Sequence, residues 1–319
     1  MFYIFQPLHH LNRISEWVKS KGGQVHLSSE TFALSLHLEG RVIRLQPRFS
    51  TRISGKLGYT RLFDGKGGFI GWVHDSSIQW KESRDKALFK LTASQLKLRV
   101  PAGWNSGKFL AEDYLVKSRT GSFGENMGGP YKASKLQRPL ESNDQFYEQF
   151  VPGKSIKIWC WNHHVAAAEV IEPPYLIGDG IKSVAELAAF RRSSLDKTLS
   201  LEGSADILAW QNKTLDAVPT EGEKVWIDFR YATPFDNVTF QDRDQWASCS
   251  ASIRHQISHA VASLAQHLAQ DGKHKLFTVD AVVDDRERVW FLEMNSHPMV
   301  HPNIYRYMLA DLCQPYGNG

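Results

Sequence analysis

The sequence predicts a mixed α/β protein of about two compact units, and three features carry that expectation. Its 319 residues divide into about two units at roughly 150 residues each. Short apolar runs of strand length are interleaved with amphipathic helical stretches along the whole chain. The chain also closes on two apolar runs separated by a polar turn, which reads as a β-hairpin.

Composition narrows the class further. Hydrophobic residues make up 42% and aromatics 12%, with ten Trp and seventeen Phe, enough apolar area to offset chain entropy and exclude disorder. No apolar run is long enough to span a bilayer, so no membrane role is expected. Met1–Phe5 is apolar but lacks a cationic leader and breaks at Pro7 before His9-His10, so it reads as a buried strand and not a signal peptide. Cys160, Cys249 and Cys313 are odd in number and far apart, which predicts free thiols and a cytoplasmic setting. The formal charge of +4 is spread without a block of like charges. That suits anionic small molecules, and nucleic acid is not the expected partner.

In chain order, Phe2–Phe5 is read as a strand and Leu8, Leu11, Ile14 and Val18 as one face of a helix ending at Gly22-Gly23. Strands follow at Phe32–Leu38 and Arg41–Leu45, so the start resembles a small α/β unit. Residues 50–82, rich in glycine, read as loop. Asp85-Lys86 opens a helix with Leu88, Leu91 and Leu96, stopping before Val100-Pro101 because proline disfavours helix at the preceding residue. Tyr114–Lys117 is a short strand entering the glycine-rich segment 118–130. Strands follow at Gln145–Val151 and Ile156–Trp161. Ser183 and Glu186 form a capping box. Residues 245–269 form the longest helix, with Ile253, Ile257, Val261, Leu264 and Leu268 on one stripe. The hairpin runs from Leu276 to Val283 and from Arg288 to Met294.

That hairpin carries most of the chemistry. With Asp284–Glu287 as its turn, Val283 lies opposite Arg288 and Asp280 opposite Phe291. Glu293 and Asn295 then share Phe291's face, at the roughly 7–8 Å of a diagonal cross-strand neighbour. Asp280, Glu293 and Asn295 thus form an all-oxygen cluster within an apolar run, where an unpaired charge is costly. Hard donors of this kind suit Mg²⁺, or Mn²⁺, over zinc. A solvated acidic turn is the plainer alternative.

Lys117 leads into a glycine-rich stretch that includes Gly121, Ser122 and Gly124, whose backbone N–H groups could fold over phosphate oxygens. It is not a Walker A loop: the Gly-Lys-Ser at 153–155 has Glu148 where that motif needs glycine. Nor is it a dinucleotide fingerprint, since Gly178-Asp179-Gly180 is followed by Ser183.

Taken in order, these pieces resemble the ATP-grasp superfamily. They are Asp85-Lys86 before a helix, Leu115-Val116-Lys117 with its Ser/Gly loop, Tyr147–Gly153, Pro174–Gly180, Val279-Asp280, and Phe291–Pro298. The Gly-Asp-Gly segment is similar to one in cyanophycin synthetase and bifunctional glutathione synthetase, and the spacing to that of D-alanine–D-alanine ligase. The resemblance implies an ATP-grasp fold, with residues 85–151 as a small lobe and 152–319 as a large lobe after an N-terminal α/β domain at 1–84. It implies ATP and Mg²⁺ as cofactors and an acyl phosphate formed from a substrate carboxylate and captured by an amine. Lys86 and Lys117 would hold phosphates, with the loop at Gly121–Gly128 closing over them. Glu148, Gln149, Phe150 and Val151 would receive adenine, with Glu148 near its exocyclic amine. Asp280, Glu293 and Asn295 would hold the metal. The sequence departs from the family at Ser155, where an acidic ribose ligand is usual, and at Lys157, where arginine is common. Arg230 is the candidate to stabilise the acyl phosphate, with an ion pair to Asp228 as its alternative. An amino acid or short peptide is the expected substrate class, and homodimerisation is left open. A non-catalytic nucleotide-binding protein on the same scaffold is the rival reading.

Other constellations carry less. Cys160-Trp161-Asn162-His163-His164 has no second pair for zinc. His255 and His259 share a helix face without a third ligand. His297 and His301 flank Pro298 and are candidates for the substrate side. Arg44, Arg48, Arg52 and Arg61 either bind an acidic substrate or decorate the first unit.

Overall fold

A computed structural model describes residues 7–53, 56–63, 65, 67–74, 79–104, 112–121, 127–134, 138–189, 201–235, 242–268 and 275–314. The strand expected at Phe2–Phe5 lies outside these residues.

Helix α1 (Pro7–Ser20) buries His10, Ile14 and Val18. The stripe is rotated from the expected one: Leu8 is exposed, and the His10 ring takes the inner position through Nδ1 and the Tyr305 hydroxyl at 2.8 Å. Strands β1 (Gln24–Leu27), β2 (Leu34–Leu38), β3 (Arg41–Ile53), β4 (Lys56–Thr60) and β5 (Phe69–Val73) form one sheet, and every pairing in it is antiparallel. Among the described residues the first unit is thus one helix with an antiparallel sheet. Residues 50–82 were expected to be loop, yet the end of β3, β4 and β5 all fall there. Aromatic contacts such as Phe69 on Trp72, 4.6 Å between centroids, supply the packing that period-based reading missed among the glycines.

Helix α2 (Lys86–Gln95) is capped by Asp85, whose Oδ1 accepts from the Ala87 and Leu88 amides. It stops well before Pro101. Lys97 adopts φ +59° and Leu98 N donates to Ala93 O at 2.9 Å, a Schellman closure that ends the helix without proline. Strands β6 (Gly103–Trp104), β7 (Tyr114–Ser118), β8 (Gly128–Tyr131) and β9 (Gln145–Gln149) form a second antiparallel sheet in the order β6-β9-β7-β8.

The central sheet comprises β10 (Lys154–Trp161), β11 (His164–Ile171), β14 (Leu276–Val283) and β15 (Val289–Asn295), ordered β11-β10-β14-β15. Between them in sequence, β12 (Tyr175–Ile177) pairs with β13 (Lys224–Trp226) beside the short helices α3 (Val184–Ala189) and α4 (Ala205–Trp210). The capping box at α3 is formed: Ser183 N donates to Glu186 Oε2 at 2.7 Å and Glu186 N to Ser183 Oγ at 3.3 Å. Helix α5 (Ala251–His267) begins later than expected because the Ser250 hydroxyl caps it, accepting from Ile253 N. Helix α6 (Tyr305–Cys313) closes the description.

The central sheet is covered differently on its two faces. Ile156, Ile158, Val279, Ala281 and Phe291 face a core with α2 and α5, represented by Phe89, Ile257, Val261 and Leu264. At one end of the other face, Trp159 and Trp161 pack with the N-terminal sheet and α6. The rest of that face is free to carry polar groups.

The terminal hairpin differs from expectation in register. Asp284 N donates to Arg288 O and Glu287 N to Asp284 O, both at 3.1 Å, and Glu287 has φ +56°. The loop is therefore three residues, a turn followed by one left-handed residue, and Val283 pairs with Val289. Ala281 pairs with Phe291, but Asp280 pairs with Glu293. The extra residue, Leu292, is a β-bulge, and it puts Phe291 in the core while Glu293 turns to the opposite face. Asp280 thus faces Glu293 directly, and Phe291 is not on their side.

Asp284 organises the loop: its carboxylate accepts from the Arg286 and Arg288 amides, Arg288 Nε at 2.7 Å and Trp290 Nε1 at 2.9 Å. Burial works to raise its pKa, but these hydrogen bonds outweigh it and hold the carboxyl below the usual range. A depressed carboxylate stabilises the fold above its unfolded pKa, and that contribution is lost as pH falls through the folded value. Asp284→Ala is expected to cost about 2 kcal/mol at pH 7. In urea titrations the cost should shrink as pH falls below the ordinary carboxylate range and the wild-type carboxyl is itself protonated.

Candidate functional site

Four charged residues lie in register across the four strands of the central sheet. Glu169 on β11 pairs with Lys157 on β10, Lys157 with Asp280 on β14, and Asp280 with Glu293 on β15. Direct partners share a face, so these side chains form one row on the face away from α2 and α5. Lys157 Nζ lies 2.7 Å from Asp280 Oδ1, and Asn295 Nδ2 donates to Asp280 Oδ2 at 3.0 Å. Two carboxylates directly opposed repel one another, and the row answers this with cations on both sides. Glu293 meets Lys86 Nζ at 3.2 Å, and at the far end Glu169 meets Arg243 Nη1 at 2.9 Å.

Local structure delivers Lys86 to that row. Asp85 both caps α2 and binds Arg119, with Arg119 Nη2 at 2.6 Å from its Oδ2, and Lys86 N donates to Arg119 O. The start of α2 is thereby fastened to the end of β7. Lys86 Nζ then donates to Gly121 O at 2.7 Å while reaching Glu293. Ser122 and Gly124, expected in the same phosphate-covering stretch, lie outside the described residues.

A second charge cluster stands on the β6–β9 sheet. Glu148 is 1% exposed. Its Oε1 takes Lys117 Nζ at 2.5 Å and its Oε2 takes Lys90 Nζ at 2.7 Å. Both oxygens of Glu148, the residue expected near the adenine amine, are held by ammoniums. Burial alone would raise its pKa, but the ammoniums of Lys117 and Lys90 hold it below the ordinary range. Lys90 is lowered by its own burial, which its shared carboxylate only partly offsets. Gln149, Phe150 and Val151 line a cleft of about 760 Å³ with Pro152, Trp226 and Trp290.

Residues 228–231 lie against the row. Ser155 Oγ donates to Phe229 O at 3.4 Å, the Tyr231 hydroxyl donates to Glu169, and the Tyr231 ring lies 5.2 Å from Lys157 Nζ. Arg230, the expected acyl-phosphate residue, is gripped by Asp228 through Nε at 2.9 Å and Nη2 at 2.7 Å, so the alternative ion pair is the arrangement found. His301 is buried and lies 3.4 Å from Asp242 Oδ1. His297 stacks on Tyr59 at 5.5 Å. His255 and His259 are exposed on α5.

Asp280 and Glu293 present carboxylate oxygens on one face, beside the Asn295 amide whose Nδ2 is turned to Asp280. Among the described residues no group of three or more His, Cys, Asp or Glu is placed to hold a metal. The donor set therefore amounts to two carboxylates and an amide, which fits Mg²⁺, an ion that takes one or two carboxylates and keeps waters or phosphate oxygens for the rest.

Lys90, Glu169 and Tyr231 were missed from sequence. Lys90 stands four residues after Lys86 on one helix, and that shared face was a usable signal. Glu169 interrupts the apolar run Val165–Ile171 just as Glu293 interrupts its own. Tyr231 carries no comparable mark.

No protein-family model and no curated protein matches the chain. Solved structures similar to it include a bifunctional glutathione synthetase from Pasteurella multocida, at 15% identity over 96% of this chain and 44% of that one, with a TM-score of 0.44. D-cycloserine synthetase matches at 14% identity over 73% of this chain and 71% of that one, TM-score 0.40. D-alanine–D-alanine ligase from Bacillus anthracis matches at 12% over 71% and 65%, TM-score 0.38. The chain spans less than half the length of the glutathione synthetase. Among the described residues no helix is long and apolar enough to cross a membrane.

Removing one member of a buried ion cluster strands the others. Glu148→Gln is expected to cost about 3–5 kcal/mol in denaturant unfolding at pH 7. Adding Lys90→Met to it should recover a large part, because the stranded buried ammonium goes with it.

Proposed function

We propose that this chain is an ATP- and Mg²⁺-dependent ligase of the ATP-grasp type that joins a carboxylate to an amine, with an amino acid or short peptide as its substrate class. Residues 1–84, 85–151 and 152–319 are its three units in this reading. The observation that carries it is the paired Asp280 and Glu293 on one sheet face, with Asn295 beside them and Lys86 brought to them from a helix tied to the Lys117 strand. Asp280, Glu293 and Asn295 would hold Mg²⁺, which when bound would neutralise charge on a transferring phosphoryl group.

The chain's own groups account for the rest. An ammonium carries three donors, so Lys86 and Lys117 can keep Glu293 or Glu148 and still donate to phosphate oxygens. Glu148 fixes Lys117 in place, and Gly121 anchors Lys86 through its carbonyl. Gln149, Phe150 and Val151 would receive the adenine in the cleft they line, with Ser155 at the sugar side. Catalysis would then be positioning and charge stabilisation. A substrate carboxylate oxygen attacks the γ-phosphorus as the bond to ADP breaks. The amine nitrogen then attacks the acyl carbon, phosphate departs, and the amine's proton is lost to solvent.

Incubation with ATP, Mg²⁺ and a panel of amino acids is expected to release ADP and phosphate. Glu293→Gln should slow that release on the order of 100-fold. Wild-type release no faster than the variant's for every substrate would end the ligase reading. The second reading, a nucleotide-binding protein without turnover, draws on Lys157 bonded to Asp280 within the row. Calorimetric ATP binding with no turnover would favour it.

A further inference from the structure

Arg48 is the most unusual charged residue outside the row. It is 6% exposed, yet its Nη1 has no hydrogen-bond partner, and among the described residues no carboxylate pairs with it. The Tyr59 ring lies 6.0 Å from its Cζ. A buried guanidinium without an anion is costly. Its burial depresses its pKa, and the nearby Arg61 pushes the same way. The fold therefore maintains a concentrated positive potential where hydrophobic packing would be less costly.

The surroundings tie that potential to the row. Arg48 pairs with Gly71 across β3 and β5. A Cβ at Gly71 would meet Val300 Cβ at 2.5 Å, so glycine there lets the segment after β15 lie flat on the N-terminal sheet. Val300 N donates to Ile70 O at 2.9 Å, and His297 stacks on Tyr59 beside Arg48. The same segment follows directly on Asn295, the amide bonded to Asp280.

We propose that Arg48, beside the Tyr59 ring on which His297 stacks, binds a carboxylate of the small-molecule substrate and so orients that substrate from the N-terminal sheet toward the Asp280–Glu293 face. This rests on the ligase reading for its purpose, though not for the binding itself. The planar guanidinium presents paired N–H donors that match a carboxylate.

The test is a thermal-unfolding and calorimetric titration of the full chain with succinate, succinamide and inorganic phosphate at one ionic strength. Succinate is expected to stabilise the wild type saturably, with succinamide inert and phosphate at least threefold weaker than succinate. Arg48→Met should weaken succinate at least tenfold, Arg48→Lys at least threefold, and the exposed Arg44→Met less than twofold. If Arg48→Met does not fold, the lysine variant, which keeps the charge without the fork, carries the comparison. The proposal is overturned by no succinate response in wild type, by a twofold or smaller change in the folded Arg48 variants, or by phosphate binding as well as succinate. MgATP titration of the wild type separates the two ideas. Absent ATP binding removes the ligase reading and leaves a succinate site standing, whereas ATP binding without a succinate response removes Arg48 alone.

Discussion

The row Glu169–Lys157–Asp280–Glu293 is the constraint on which the site depends. Each member is the register partner of the next, so the strands cannot slip by one residue without turning every charge toward the apolar face that packs α2 and α5. The bulge at Leu292 is what makes the row compatible with that core. Without an extra residue, Phe291 and Glu293 would share one face, and either the core would lose its aromatic ring or the carboxylate would be buried in it. Charge pairing and packing are reconciled by a single backbone irregularity, in keeping with the habit of bulges to re-aim side chains.

The row is completed from outside the sheet. Lys86 and Arg243 supply its terminal cations, and Tyr231 closes over Lys157 and Glu169. Opposite charges at partial burial interact more strongly than exposed pairs, because less water screens them. Glu148 plays the corresponding part on the β6–β9 sheet. One buried carboxylate holds two ammoniums, and one of them, Lys117, was singled out by sequence for a different task. A helix whose cap residue also binds Arg119 links the two clusters, so the N-terminus of α2 both starts a helix and joins the two sheets.

Much of this was legible from residue order. A carboxylate within an apolar run located Glu293, and the strand pattern located Asp280. The same reasoning misplaced their register, because hairpin pairing depends on loop length and on bulges, and neither leaves a period in the sequence. Residues 50–82 escaped for a related reason: glycine-rich strands that pack through aromatic contacts lack the alternation that announces a half-buried sheet. The pairing of Glu148 with Lys90 was not legible, because the burial of Lys90 in α2 is a property of what that helix packs against.

The sequence alone determined which residues could carry charge chemistry, where the main helices and the terminal hairpin lie, and that oxygen donors dominate near the C-terminus. These follow from local periodicity, capping side chains and residue chemistry, all short-range. Only the tertiary structure decided which charges meet. Pairings such as Lys157 with Asp280, Lys90 with Glu148, and the stacking of Tyr59 on His297 join segments far apart in the chain. Their geometry is fixed by strand register and by the packing of sheets against one another, and those long-range constraints leave no mark on the spacing of neighbouring residues.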